Sequence, residues 1–445
     1  MSTSSSLPLT KTTPVEAIRT RLRVGASALV VIALLVWGFW TWTSQVSNLD
    51  RSGTPLGGDF LMFYTAGTMV QQDPLSLYDE VRQQAEFRRI LPGLEPDSCR
   101  LPYRYPPVVA ILMAPLSRLP FPYAFAVFAA LSVALGCLTV KMFNHLESKL
   151  LGGASACFGW WMMGWPVALE TILGGQQAFF GLAIATATIL LLQREREVGA
   201  GMVLGLACYK PNLLLLFGFA LLLRYPRMIW GVAVSATALL VLQLAVGGVA
   251  CIETYGGLAR QLATEPWGLE TPAVKVHGLA PWLAYLWPGD ERKILLALGV
   301  LGAIVWAWCD RRTQKGSGDR RTQKGSRDRR TMGDIHVRAL SISWLILWNA
   351  VCNPYLPIYD LLLLGLPTWL LFRIGSERGM SARVLGCFLG LMSLGPHLSQ
   401  AIAAQTGVQI FPFVLLALVI AVGYSIGRKC YGVSACVAQP VGPSV

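Results

Sequence analysis

The strongest constraint on this chain is a succession of apolar runs, nearly free of charge and separated by short polar or basic turns. Several reach about 17–25 residues, enough for a helix to cross the hydrocarbon core of a bilayer. No water is available there to satisfy peptide N–H and C=O groups, so each run must make its own hydrogen bonds as a helix. Only 14% of the residues are charged, against roughly 25% in soluble domains. The expectation is an all-α polytopic membrane protein.

The basic excess agrees with that reading. The formal net charge is +13, which by itself would suit a nucleic-acid binder. However, Arg224, Arg227, the block Arg311–Arg338, Arg373, Arg378, Arg428 and Lys429 lie between or just after apolar runs. There the positive-inside rule accounts for them and places them in the cytoplasm. No nucleic-acid partner is expected. The ten cysteines are scattered, many within apolar runs, without CxxC or Cys/His ligand spacing, so they read as packing residues. No metal-ligand cluster is visible, and no cofactor is expected beyond a co-substrate. The sequence offers no Walker loop, no HExxH, no strand-associated GxGxxG and no GxSxG at a strand-to-helix elbow (Gly423–Gly427 spells the pattern inside an apolar run), which removes ATP-driven pumping, serine hydrolysis and zinc catalysis from the leading ideas.

Residues 1–20 are rich in Ser and Thr and read as a disordered cytoplasmic N-terminus. A transmembrane domain over 21–430 and a cytoplasmic tail over 431–445 follow. Within the domain, a first helix from about Gly25 to Thr43 leads to a long outer loop at about 44–105. In that loop Phe60–Val70 and Leu77–Ile90 have the spacing of helices lying on the membrane surface, broken at Asp73-Pro74. A short run opens at Pro106-Pro107 and closes at Pro115. Longer ones cover about Tyr123–Met142, Ala154–Leu169, Ala178–Leu192, Gly199–Leu222 and Met228–Val249. Lys210-Pro211 marks either a kinked span or a short hairpin. After a second outer loop at about 250–291 come runs at about Lys293–Trp308, Arg338–Cys352, Pro357–Phe372, Arg383–Leu398 and Phe411–Ile426. About twelve crossings result, with both termini in the cytoplasm of a cell (inner or plasma) membrane protein. The loop at about 309–337 carries a nine-residue repeat beginning at Asp310, Asp319 and Asp328, too short and too polar for a solenoid. It reads as a disordered cytoplasmic expansion.

Polar groups embedded near apolar runs are costly in lipid and must face a cavity or a partner. Glu170, Gln176, Gln177, Lys210, Asn212, Asn349, Asn353, Asp360 and His397 are of this kind. Each could be a helix-end cap or an interhelical hydrogen-bond partner. Asp59 differs. It follows Gly57-Gly58, precedes the apolar Phe60–Tyr64 and sits in the first outer loop. An aspartate there is either the N-cap of a helix starting at Phe60 or a base facing a membrane-bound substrate.

The string Gly58-Asp59-Phe60, Tyr64, Ala66-Gly67 and Leu77-Tyr78-Asp79 resembles the first loop of glycosyltransferase family 87, membrane enzymes of the GT-C fold. The resemblance continues through Tyr103-Arg104-Tyr105-Pro106-Pro107, Ala114-Pro115-Leu116, Leu119-Pro120, Gly175-Gln176-Gln177, Ala200-Gly201, Gly205-Leu206-Ala207 and Lys210-Pro211. It ends in Asn353-Pro354-Tyr355 and Tyr359-Asp360. It implies a GT-C-type bundle that moves a sugar, with mannose expected, from a polyprenyl-phosphate carrier to a glycolipid or glycan acceptor on the outer face, with inversion. It further implies Asp59 as the catalytic base. Tyr64, Arg104, Tyr105, Gln176, Gln177, Lys210, Asn353, Tyr355 and Asp360 are the candidate substrate-binding residues, with Arg104 or Lys210 as the cation near the leaving phosphate. A lipid or glycan transporter is the competing class, but transporters often carry repeated sets of spans and no such repeat is visible. A non-catalytic scaffold is a third.

Overall fold

The computed structural model describes residue 49 and residues 55–93, 101–151, 157–264, 273–318 and 327–435. The expected N-terminal segment 1–20, the first helix at Gly25–Thr43, the repeat copy over 319–326 and most of the tail lie outside the described residues. Among those described, the chain is helical throughout, with isolated β-bridges at Leu49–Pro55 and Val276–Pro357. Among the described residues six helices are long and apolar enough to cross a membrane: Phe121–Leu151, Met228–Leu262, Glu291–Arg312, Ile358–Glu377, Ala382–Thr406 and Phe411–Arg428. Three shorter apolar helices, Ala178–Gln193, Glu197–Tyr209 and Pro211–Arg224, pack with them.

The basic turns gather at one end of the bundle, where charge pairs tie the helix ends together. Arg224 meets Asp310 at 2.8 Å, His336 meets Glu377 at 2.7 Å, and Arg373 meets Glu147 at 3.2 Å. Glu147 is fully buried and also accepts a hydrogen bond from Trp369 Nε1 at 3.2 Å. Lys149, two residues on in the same helix, therefore belongs to this end as well. The helix Phe121–Leu151 carries it there in one uninterrupted pass.

Proline and glycine break the lipid-embedded chain in three places, and each break turns it back toward the basic end. The first apex is Gly174–Gln177, between the helices Pro166–Leu173 and Ala178–Gln193. The second is Leu206–Lys210, between Glu197–Gly205 and Pro211–Arg224. Gly201 abuts the Met228 carbonyl and Gly218 packs on Leu204, so the chain leaves the basic end and returns to it between these residues. Gly199–Leu222 is thus a hairpin of two short arms, because Pro211 has no N–H to continue the helix begun at Glu197. The third apex is Cys352–Pro357, between Arg327–Val351 and the 3-10 turn Ile358–Leu364 that runs into Gly365–Glu377.

The first outer loop sits over these apices, and it differs from a pair of surface-lying helices. Phe60–Gln72 is buried on every side from Phe60 to Val70. Nearly all of those residues are apolar, so the helix has no polar face to offer water. It is enclosed by Pro107–Met113, by the turn Pro74–Tyr78 and by Phe121, Phe125 and Phe128, whose rings lie 5.0–5.6 Å from that of Phe60. The run after Pro106 makes only the seven-residue helix Pro107–Met113, about 10 Å at 1.5 Å per residue and too short to cross. Glu80–Ile90 does behave as an amphipathic surface element, with Asp79 capping it through the N–H groups of Val81 and Arg82.

Two further expectations change. The helix begun at Met228 kinks at Gly248 (φ +66°, ψ −176°) and resumes to Thr264, so residues 250–264 are not loop. The first repeat copy extends the helix Glu291–Gly318 rather than forming an irregular segment, and the third begins within Arg327–Val351.

Candidate active site

Asp59 lies where the outer loop meets the three apices. Gly57 and Gly58 have φ of +76° and +52°, a left-handed pair that glycine adopts without Cβ strain. They turn the chain so that the Asp59 N–H donates to the Gly174 carbonyl at 3.1 Å. Gly175, at φ +66°, is equally constrained: a Cβ there would overlap Phe60 Cβ and the Gly57 carbonyl. The loop turn and the first apex are therefore locked backbone to backbone.

The capping reading of Asp59 does not hold. Its backbone is already helical, at φ −68° and ψ −10°, and its carboxylate accepts no hydrogen bond from the helix it precedes. Instead Gln176 Nε2 donates to Asp59 Oδ2. Gln176 is 3% exposed and Asp59 half-buried. Burial pushes the Asp59 carboxyl above the ordinary carboxylate range. The Gln176 N–H, Lys210 and Lys275 pull it back in that order, and Glu170 adds a small upward push. The outcome is a carboxyl group more basic than a surface aspartate and held in a fixed direction.

Lys210 stands at the tip of the second apex. Its Nζ lies 2.8 Å from Oδ1 and 2.6 Å from Oδ2 of Asp360, with the two side chains 8% and 1% exposed. The rings of Tyr359 and Tyr105 lie 4.9 and 5.8 Å from the same nitrogen. Burial, then Asp360, Tyr355 and Asp59, push the Tyr105 phenol up. Asn212 Nδ2 donates to the Tyr355 carbonyl at 3.3 Å, and Tyr209 Oη donates to the Gln177 carbonyl at 3.3 Å. These two bonds join the second apex to the third and to the first.

The structure thus brings Asp59, Tyr105, Gln176, Gln177, Lys210, Tyr355 and Asp360 into one cluster. Asn353 sits at the same third apex, where its Oδ1 accepts the Tyr355 N–H at 3.0 Å. Tyr64 and Arg104 are placed elsewhere. Tyr64 donates to the Leu119 carbonyl at 2.8 Å and packs edge-on against Phe121, clamping the loop to the bundle. Arg104 faces Glu80 of the surface helix at 3.7 Å. Among the other embedded polar residues, Asn349 is structural. Its Nδ2 donates to the Leu213 carbonyl at 2.9 Å and its Oδ1 accepts the Phe217 N–H at 3.1 Å. It thereby satisfies the backbone around Leu214, whose φ of −122° and ψ of 17° interrupt the helix Pro211–Arg224.

Sequence reasoning marked Glu170 and His397 only as embedded polar residues and missed Lys275. Glu170, one turn before Gly174, pairs with His397 Nε2 at 3.0 Å, and both side chains remain more than a third exposed. Lys275 is exposed at the end of the turn Ala273–Lys275, and its charge lowers the Asp59 pKa. Next to it His277 is fully buried, with Nε2 3.3 Å from Gln400 Oε1. Burial pushes that imidazole down to about 4, so it is neutral at neutral pH. No local motif marks Lys275; only the folded segment reveals its position.

Residues 103–323 match the model of glycosyltransferase family 87. No curated protein and no solved structure matches the chain.

Proposed function

We propose that the chain, which matches the model of glycosyltransferase family 87 over residues 103–323, is a membrane glycosyltransferase of that family, and that it moves a sugar, mannose, from a polyprenyl-phosphate donor to a glycan or glycolipid acceptor on the outer face of the membrane, inverting the anomeric centre, with Asp59 as general base. The observation that carries this reading is the held carboxylate. Gln176 takes Asp59 Oδ2, and Oδ1 is left to accept the proton of an acceptor hydroxyl.

In this reaction the acceptor oxygen attacks the anomeric carbon from the side opposite the phosphate while Asp59 Oδ1 receives its proton. The bond from the anomeric carbon to the phosphate oxygen breaks, and its electron pair leaves with the polyprenyl phosphate. One base suffices, because the departing phosphate is already a stable anion and needs no acid. A glycoside hydrolase, by contrast, employs two carboxylates. The raised basicity of Asp59 suits the task, since a base works best with a pKa drawn toward the operating pH. Lys210 is neutralised by Asp360 and stabilises the site through the apices it joins, with Tyr105 and Tyr359 shielding the pair.

Asp59→Asn keeps the size and the Gln176 contact but removes the basic oxygen. Its expected effect is a fall in transfer of about 10²–10⁴-fold, the contribution of a general base. Radiolabelled polyprenyl-phosphomannose in membranes containing the protein provides the assay. Wild-type transfer by the Asn variant would remove Asp59 from that role.

A further inference from the structure

We propose that Lys275 is the cation that holds the phosphate of the lipid-linked donor. The inference rests on the donor class proposed above and adds a residue to it. The transferred charge sets the requirement: the donor phosphodiester carries one negative charge, and the polyprenyl phosphate that leaves carries a second. A cation at that phosphate is therefore felt more strongly as the glycosidic bond breaks.

Of the cations near Asp59, the sequence nominated Arg104 and Lys210. Arg104 is turned toward Glu80. Lys210 is buried and already faces both oxygens of Asp360. Lys275 also acts on the Asp59 carboxylate, yet it is exposed and no described carboxylate pairs with it.

Its backbone is fixed on both flanks. Val276 forms a bridge with Pro357, and the His277 N–H donates to the Leu356 carbonyl at 2.8 Å, which lays this strap along the third apex. Gln409 Nε2 donates to the Val274 carbonyl at 2.6 Å. Gly278 rests so close to the Asn353 carbonyl that a Cβ would come within 2.5 Å of it. Along this seam a second donor awaits an acceptor: Asn353 is 2% exposed, and its Nδ2 has no hydrogen-bond partner. The strap is thus pinned along the third apex with an exposed ammonium group on it, and the same seam holds the buried Asn353 N–H donor. That combination suits a phosphate, which takes both charge and hydrogen bonds.

The test uses the full-length protein in nanodiscs and measures binding of a long-chain polyprenyl phosphate against the uncharged polyprenol. Wild type should prefer the phosphate. Lys275→Ala should lose that preference by about tenfold to a hundredfold, Lys275→Arg should retain most of it, and the control Lys293→Ala, at an exposed lysine paired with Asp290, should leave it unchanged. An unchanged preference in Lys275→Ala, with wild type still preferring the phosphate, overturns the assignment. Absence of any preference in wild type instead removes the polyprenyl-phosphate donor itself, and this proposal with it. A third result also overturns the assignment: phosphate binding unchanged, with only the acid limb of the activity profile moved upward. Lys275 would then act solely by lowering the pKa of Asp59.

Discussion

The buried pair Lys210–Asp360 allows a quantitative test of how the apices are held together. Both side chains are almost wholly out of solvent, so the discount that applies to surface ion pairs does not apply here. Removing one partner from a buried pair costs about 3–5 kcal/mol, because it leaves an uncompensated charge. Replacing both by apolar residues of similar volume is close to neutral. Lys210→Met should therefore be severely destabilising, and Lys210→Met with Asp360→Leu should recover most of the loss. The two single variants should also differ. Without Asp360, the ammonium group keeps the faces of Tyr359 and Tyr105 at 4.9 and 5.8 Å, worth about 1–2 kcal/mol in a desolvated setting. Without Lys210, Asp360 has no comparable substitute. Asp360→Leu should thus cost about 3 kcal/mol and Lys210→Met about 5 kcal/mol.

Unfolding by SDS titration in mixed micelles, run as a double-mutant cycle, yields the three free energies. The reasoning fails if the double variant is as unstable as Lys210→Met, since an orphaned charge would then not be the source of the loss. It also fails if Asp360→Leu costs more than Lys210→Met. A double variant that is stable but transfers no sugar would assign the pair a part in shaping the site beyond holding the fold.

Two further outcomes follow from the same geometry. Gln176→Ala removes the N–H that lowers the Asp59 pKa; with Asp59 as the proposed base, activity needs the ionised carboxylate and is lost as pH falls through that pKa, so the acid limb of kcat/KM should move to higher pH, and an unmoved limb in a pH–rate profile would show that the contact does not tune the base. Gly175→Ala combines a left-handed backbone with overlap against Phe60 and Gly57, a loss of about 2–5 kcal/mol, whereas Gly248→Ala, at the same φ of +66° but with nothing within 4 Å, should lose only the conformational part, about 1–2 kcal/mol; equal losses in the SDS titration would refute the overlap.

The helical membrane character and the prominence of Asp59 were legible in the sequence because each depends on local composition. Apolar length dictates helices in lipid whatever they pack against, and Gly57-Gly58 before an acid marks a special turn. The misreadings share a different cause. Phe60–Val70 and Pro107–Met113 are apolar enough to be interfacial or spanning, and only their mutual packing makes them a buried layer. Asp59 has the composition of a cap, yet its partner Gln176 lies 117 residues away in sequence. Such long-range contacts leave no periodic trace. Lys275 is the extreme case, since what distinguishes it is the bridge of its neighbour to Pro357.

The polar groups at the centre of the bundle serve two demands, and separating them sharpens the functional reading. A helix broken at membrane depth exposes N–H and C=O groups that lipid cannot satisfy, so such breaks survive only within protein or beside an aqueous cavity. Much of the embedded polarity here answers that demand. Asn349 serves Leu213 and Phe217, Asn212 serves Tyr355, Tyr209 serves Gln177, and the Asp59 N–H serves Gly174. Lys210 and Asp360 neutralise each other. What these contacts leave over is a small set on one side of the apices: the Asp59 carboxylate, the exposed Lys275 and the partly exposed pair Glu170–His397. A fold that needed only to satisfy its broken helices would not require a carboxylate directed away from the helix it precedes, nor an exposed lysine on a strap pinned to the third apex. That remainder holds both the proposed base and the proposed phosphate contact.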